Sequence, residues 1–179
     1  MKNVLRYALA LAFAFAMPLA SLAPPALAAQ GSLHPSSDIA RNKAAARRVY
    51  TEGLNQGIFE VAYTPDFVGH GGAATFTHAQ GMAEARGWRT AFPDLKVDVD
   101  LIVAENDLVS VRWTARGTNT GSGNGIAATG RAVQVTGTTI FRFEDGAIAE
   151  EWTSGDSLGM LKQLGLFPAP PATASTNAR

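Results

Sequence analysis

The sequence predicts an α+β domain. Three observations carry the class. Helical periodicity comes first, in segments 38–56 and 78–92. A run of apolar and polar residues alternating with period two follows, from about residue 97 to 153. The strands in that run are consecutive and closely connected, so they should pair antiparallel. Helices and strands kept apart along the chain argue for α+β over α/β.

The first helix is capped by Ser37 or Asp38 and ends near Gln56. Ile39, Ala46, Val49, Tyr50 and Leu54 share one face, and Arg41, Lys43, Arg47 and Arg48 stay in water. Gly57 follows as the stop residue. A short apolar segment, Ile58 to Tyr63, leads to a brief strand over Asp66 to His70. Gly69, Gly71 and Gly72 open a loop, and the second helix runs from His78 to Phe92, ended by Pro93.

Beyond Pro93 the period is two. Val97, Val99, Leu101 and Val103 form one apolar face, and Val109, Val111, Trp113 and Ala115 another, across a turn at Glu105-Asn106-Asp107. A glycine-rich loop, Gly117 to Gly130, is expected to be a flexible rim. The next strand carries Val133, Val135, Phe141 and Phe143. Glu144-Asp145-Gly146 is a hairpin turn, Ile148 to Thr153 the last strand, and Ser157 onward a closing helix.

The flanks differ in character. Lys2 and Arg6 precede the apolar run Leu9–Met17, then prolines and Ala26-Leu27-Ala28-Ala29. This pattern is that of an export signal, residues 1–28, cleaved after Ala28. The apolar run before Pro18 falls short of the roughly 20 residues that span a bilayer. The expected location is therefore periplasmic or secreted. Residues 29–37 are assigned to a linker, 38–167 to the domain, and the Pro/Ala/Thr-rich 168–179 to a disordered tail.

Composition bounds the partners. Apolar residues make up 46% of 179, enough for one real core, and 15 basic residues balance 15 acidic ones. That charge offers no footprint for nucleic acid, and no basic run would hold an anionic membrane. With no cysteine there is no disulfide, and the core must hold the fold alone.

Several stretches, taken in order, resemble a known family. They are Asn42-Lys43 with Arg47-Arg48-Val49-Tyr50, Asn55-Gln56-Gly57, and Pro65-Asp66-Phe67-Val68-Gly69-His70. Further on come Ala91-Phe92-Pro93-Asp94-Leu95, Val111-Arg112-Trp113-Thr114 and Gly117-Thr118-Asn119-Thr120-Gly121. Arg142-Phe143-Glu144-Asp145-Gly146 and Glu150-Glu151-Trp152 through Gly165 complete the set. The chain resembles the SnoaL-like polyketide cyclase or ester cyclase group of the nuclear transport factor 2-like superfamily. The resemblance implies a cone: a curved antiparallel sheet wrapped around N-terminal helices, with a deep apolar pocket open at one end. It implies a homodimer through the outer sheet face. It also implies aldol-type ring closure or isomerisation of an apolar, carbonyl-bearing small molecule, with no metal or organic cofactor. An aspartate ending the last strand acts as acid and base in such proteins, and Asp156 matches it. One departure is the short Ile58–Tyr63 segment, where relatives carry a longer helix.

Each candidate also has a structural reading. Asp156 either caps the last helix or moves a proton, and a carboxylate tied to backbone N–H groups makes a poorer base. His70, beside the glycine loop, is either a proton shuttle or a hydrogen-bonded structural histidine. Trp152, Trp113, Phe92 and Trp88 either line the pocket or pack the core. In a regular strand Trp152 shares a face with Ile148, Glu150 and Asp156; a bulge would send Glu150 outward, the orientation preferred here. Arg112, opposite Trp113, either stabilises an oxyanion or pairs on the sheet surface with Asp98, Asp100 or Glu151. His34, His70 and His78 make no metal-ligand spacing. Two other functions fit the same sequence: a non-catalytic exported ligand-binding module, or a domain that serves oligomerisation.

Overall fold

The computed structural model describes residues 35–72 and 74–167. The expected signal, most of the linker, and the tail lie outside them. Helix α1 (Pro35–Arg48) begins slightly before the expected cap and continues as a π-helical turn, Val49–Leu54. Ala46 and Tyr50 are buried from this face, as the periodicity requires. Strands β1 (Tyr63–Gly71) and β2 (Ala74–Phe76) form a hairpin where a loop was expected. Helix α2 (His78–Ala91) follows. A capping box starts it: the Gln80 N–H donates to Thr77 Oγ1, and the Thr77 N–H donates to Gln80 Oε1 at 2.8 Å.

Four strands come next: β3 (Lys96–Glu105), β4 (Leu108–Thr118), β5 (Ala132–Glu144) and β6 (Ala147–Gly155). They pair antiparallel in sequence order. β1 then joins β6 in parallel, giving one sheet in the order β2-β1-β6-β5-β4-β3. The β5–β6 turn uses positive φ at Asp145 and Gly146, as a two-residue hairpin demands. Helix α3 (Ser157–Leu164) closes the domain, packed on β5.

The main core joins Val109, Val111, Phe141, Phe143 and Ile148 of the sheet to Ala46 and Tyr50 of the first helix. Each such large side chain contributes roughly 1.5–3 kcal/mol by leaving water. A smaller cluster, Ala91, Phe92, Val133 and Leu164, ties α2 and α3 to the start of β5.

Two bulges decide which side chains face that core. In β3, Val99 pairs with Trp113 but Leu101 with Arg112, so Asp100 is an extra residue. In β6, Ile148 pairs with Phe143 but Glu150 with Arg142, so Ala149 is extra. A strand has period two, so one inserted residue turns everything after it over. Leu101 and Val103, expected inside, are therefore 56% and 53% exposed on the outer face.

The glycine-rich loop is no free rim. Gly121 and Gly123 lie so close to α2 that a Cβ on either would meet the Thr90 or Gly87 carbonyl oxygen at about 2 Å. The fully buried Asn119 amide anchors it, donating to Ala91 O and Gly121 O and accepting from Thr129. The Asn119 hydrogen bonds leave a docked strap, which explains an asparagine amid glycines. No described helix is long and apolar enough to cross a membrane.

Candidate active site

A cavity of about 690 Å³ lies between the inward face of the sheet and the helices. Its inner wall includes the buried Tyr50, Phe92, Val97 and Phe141. Gly72, Glu84 and Ser157 are exposed lining residues and mark where it meets solvent. Trp88, Phe92 and Trp113, three of the four expected lining aromatics, are there. The π-helical turn sets Tyr50 against the site; its ring lies 6.4 Å from Trp113 and 6.3 Å from Phe141.

Hydroxyl groups collect on one wall. Trp113 Nε1 donates to Thr139 Oγ1 at 3.2 Å, and Thr139 Oγ1 lies 3.0 Å from Thr153 Oγ1. Tyr50 lines the same cavity as Thr139 and Thr153. Burial pushes the phenols of Tyr50 and Tyr63 well above their ordinary range, so both stay protonated donors.

The acid inside this cavity is Glu151. The β6 bulge places it inward opposite Phe141. Desolvation, and then the nearby Glu84 charge, raise its pKa to about 7. The carboxyl is withdrawn from bulk water yet reachable from the cavity. The same bulge removes Glu151 as one of the three surface partners considered for Arg112. Asp98 pairs instead with Arg116, and Asp100 accepts the Thr114 O–H. One sequence signal was available: Ile148 and Ala149 are both apolar, and two successive buried residues break strand alternation.

Trp152 is corrected in the same way. It is 37% exposed on the outer face, stacked on His70 with ring centroids 5.3 Å apart. His70 is likewise outside the cavity lining. Its Nε2–H donates to Glu150 at 2.8 Å, and Arg142 Nε donates to the other Glu150 oxygen at 3.1 Å. Those bonds, the His70 one first, hold the Glu150 carboxyl below the usual range. Glu150 points outward, the orientation preferred from sequence.

Asp156 sits at the β6–α3 join. Its side chain accepts the Gly159 N–H at 2.8 Å, so it caps α3. Gly155 and Ser157 on either side line the cavity, while Asp156 is exposed and does not. Asp156→Ala should cost about 0.5–2 kcal/mol in urea unfolding, and Asp156→Asn much less, since asparagine also caps. Equal losses for the two variants would remove capping as the reason. Among the described residues, no group of three or more His, Cys, Asp or Glu is placed to hold a metal ion.

Comparison with known proteins agrees with this architecture. The SnoaL-like polyketide cyclase model matches residues 44–164. Solved structures in the nuclear transport factor 2-like fold superpose well. AclR from Streptomyces galilaeus, a candidate hydroxylase, is 30% identical, with a TM-score of 0.65 over 75% of this chain and 91% of its own. A candidate SnoaL-like polyketide cyclase from Jannaschia sp. CCS1 is 25% identical, at 0.65 over 72% and 94%. IdmH from Streptomyces antibioticus, a candidate polyketide cyclase, is 31% identical, at 0.60 over 69% and 98%. No curated protein matches the chain. With the family model spanning both the cavity walls and the strand that carries Glu151, the chain belongs to the SnoaL-like polyketide cyclase family.

Proposed function

We propose that this protein is an exported, cofactor-free enzyme that moves a proton on an apolar, carbonyl-bearing small molecule. One observation carries the reading: the Glu151 carboxyl faces an aromatic-walled cavity opposite Phe141, where desolvation raises its pKa to about 7. A general base works best when its pKa lies near the working pH. In this reading the Glu151 carboxylate removes the proton α to the substrate carbonyl. The developing enolate oxygen takes a hydrogen bond from a lining hydroxyl, that of Tyr50, Thr139 or Thr153. The enolate carbon then attacks a second carbonyl of the same molecule, forming the ring C–C bond. Glu151 returns its proton to the new alkoxide, so atoms and charge balance without an added reagent. Returning it to carbon instead gives an isomerisation.

Asp156 is the position the family likeness assigns to acid/base work, and Glu151 is the group that meets the cavity. Turnover measured on Asp156→Asn and Glu151→Gln side by side separates them. The proposal expects the larger loss in Glu151→Gln. Loss confined to Asp156→Asn, with Glu151→Gln active, would return the role to Asp156. The cap at Asp156 favours a second reading, a non-catalytic binding module, which needs the cavity and no proton transfer. Saturable ligand binding with no turnover on any carbonyl substrate would select it.

Export rests on the N-terminal pattern of residues 1–28. Homodimerisation through the outer sheet face is also part of the proposal. His70, Trp152, Ile140, Ser110 and Val103 form one row across five strands there. Val68, Leu101, Val103, Ile140 and Trp152 are each more than one-third exposed, an apolar patch suited to a second copy. Light scattering should give a dimer mass for the native chain and a monomer mass for Ile140→Arg. A native monomer, or a dimer unchanged in the variant, would rule out this face.

A further inference from the structure

A polar row crosses three strands beside Glu151. Trp113 of β4, Thr139 of β5 and Thr153 of β6 all line the cavity. Thr139 lies opposite Thr153 in the β5–β6 register, as Phe141 lies opposite Glu151. Glu151 and Thr153 are thus neighbours on one face of one strand, about 7 Å apart at two residues of rise. Gly137 and Gly155, opposite each other on the same two strands, leave room for the Trp113 indole. A Cβ on Gly137 would collide with that ring, so the ring is seated there with its N–H on Thr139.

Counting protons gives the row a direction. An indole N–H donates and accepts nothing, and a threonine hydroxyl has one proton to give. Trp113 Nε1 donates to Thr139 Oγ1 at 3.2 Å. The other hydrogen-bond neighbour of Thr139 Oγ1 among the described residues is Thr153 Oγ1, at 3.0 Å. Thr139 is 3% exposed, and a buried O–H left unpaired is costly, so its proton goes to Thr153. Thr153 accepts it, and its own proton is left for the cavity.

We infer that the Thr153 hydroxyl is the donor that holds a ligand's carbonyl oxygen in this cavity, with Thr139 and Trp113 as its positioning residues. The inference rests on the reading that the cavity takes a carbonyl-bearing molecule, and it adds which hydroxyl receives the carbonyl. A carbonyl oxygen accepts and never donates, so it fits a wall that offers a proton. The spacing of about 7 Å suits a carbonyl on Thr153 with its α-hydrogen turned to the Glu151 carboxylate. Tyr50, on the π-helical turn, is the rival donor.

Benzylacetone, a phenyl-bearing methyl ketone isotope-labelled at the carbonyl carbon, tests this on the full chain. Infrared difference spectra should show the bound C=O stretch at lower frequency than in an alkane solvent. Thr153→Val, of the same shape, should return the band to the alkane position and weaken binding about two- to tenfold. Thr153→Ser should keep the band shifted. Thr139→Val removes the directing proton, so the band should move part of the way back, and Thr139→Ser should restore it. Trp113→Phe, which removes the indole N–H, should act as Thr139→Val does. A packing role alone would leave the band in place. In heavy water the native protein should exchange the ketone's α-hydrogens, the proton leaving on Glu151 and a solvent deuteron returning to carbon. Thr153→Val should slow that exchange about 10²–10³-fold. A shifted band unmoved by Thr153→Val overturns the inference, and its loss in Tyr50→Phe alone gives the role to Tyr50. A bound ketone with an unshifted band overturns the inference and leaves the cavity as a binding site. A Thr153-dependent band without exchange in the native protein supports the inference and overturns the proton-transfer reading. A ketone that does not bind overturns both.

Discussion

Glu151→Gln should abolish turnover while leaving a folded, ligand-binding protein. The expected loss is about 10²–10⁴ in kcat, the range for removing a positioned acid/base. Glutamine keeps the shape and the polar contacts and lacks only the titrating proton. In the native protein the rate should rise with pH through about 7, because the base form of Glu151 appears there. The stability effect has the opposite sense. A carboxyl whose folded pKa lies above its unfolded value favours folding below the unfolded value. That contribution falls away as pH rises through the folded pKa of about 7. Above that point the native protein holds an ionised carboxylate in the cavity, and Glu151→Gln does not. The variant should therefore melt higher than the native chain at about pH 8, with the gap closing towards about pH 5. The ceiling on the gap is about 3 kcal/mol, less whatever cavity water recovers. Retained turnover with an unchanged pH profile would remove Glu151 from the chemistry.

Phe141→Ala should carry the largest loss of stability, about 3–5 kcal/mol by urea unfolding. Phe141 is 1% exposed, packs edge-on against Tyr50, and lines the cavity opposite Glu151 in the β5–β6 register. Its removal takes away core packing and one apolar wall of the carboxyl at once. Water admitted beside Glu151 weakens the desolvation that raises its pKa. The midpoint of the pH–rate profile should thus move down from about 7 towards the ordinary carboxylate range. Phe141→Leu should keep most of the stability and most of the raised midpoint. A profile that stays put in Phe141→Ala would mean that burial by this wall is not what sets the Glu151 pKa.

Much of the fold was legible because its signals are local. Helix periodicity marked α1 and α2, and Asp145-Gly146 marked the hairpin by the positive φ it needs. Asp156 carried both a cap signal and a family likeness, and its carboxylate is found on the Gly159 N–H. Trp88, Phe92 and Trp113 carried two readings in the sequence, lining and core packing, and all three are found on the cavity. β1 was only partly legible: its hairpin with β2 and its parallel pairing with β6 join segments far apart in sequence.

The chain by itself determined the α+β class, the order of the helices and of the last four strands, the turn at Asp145-Gly146, and the family. What only the tertiary structure decided is which side of β6 faces the cavity. Alternation along Glu150-Glu151-Trp152 is the same whichever way the strand faces. The face is set by pairing with β5, where Ala149 has no partner and the register jumps from Ile148 opposite Phe143 to Glu150 opposite Arg142. That single inserted residue sends Trp152 out to stack on His70 and brings Glu151 into the cavity. The reason is geometric: a strand's side chains alternate with period two, and one unpaired residue exchanges its two faces.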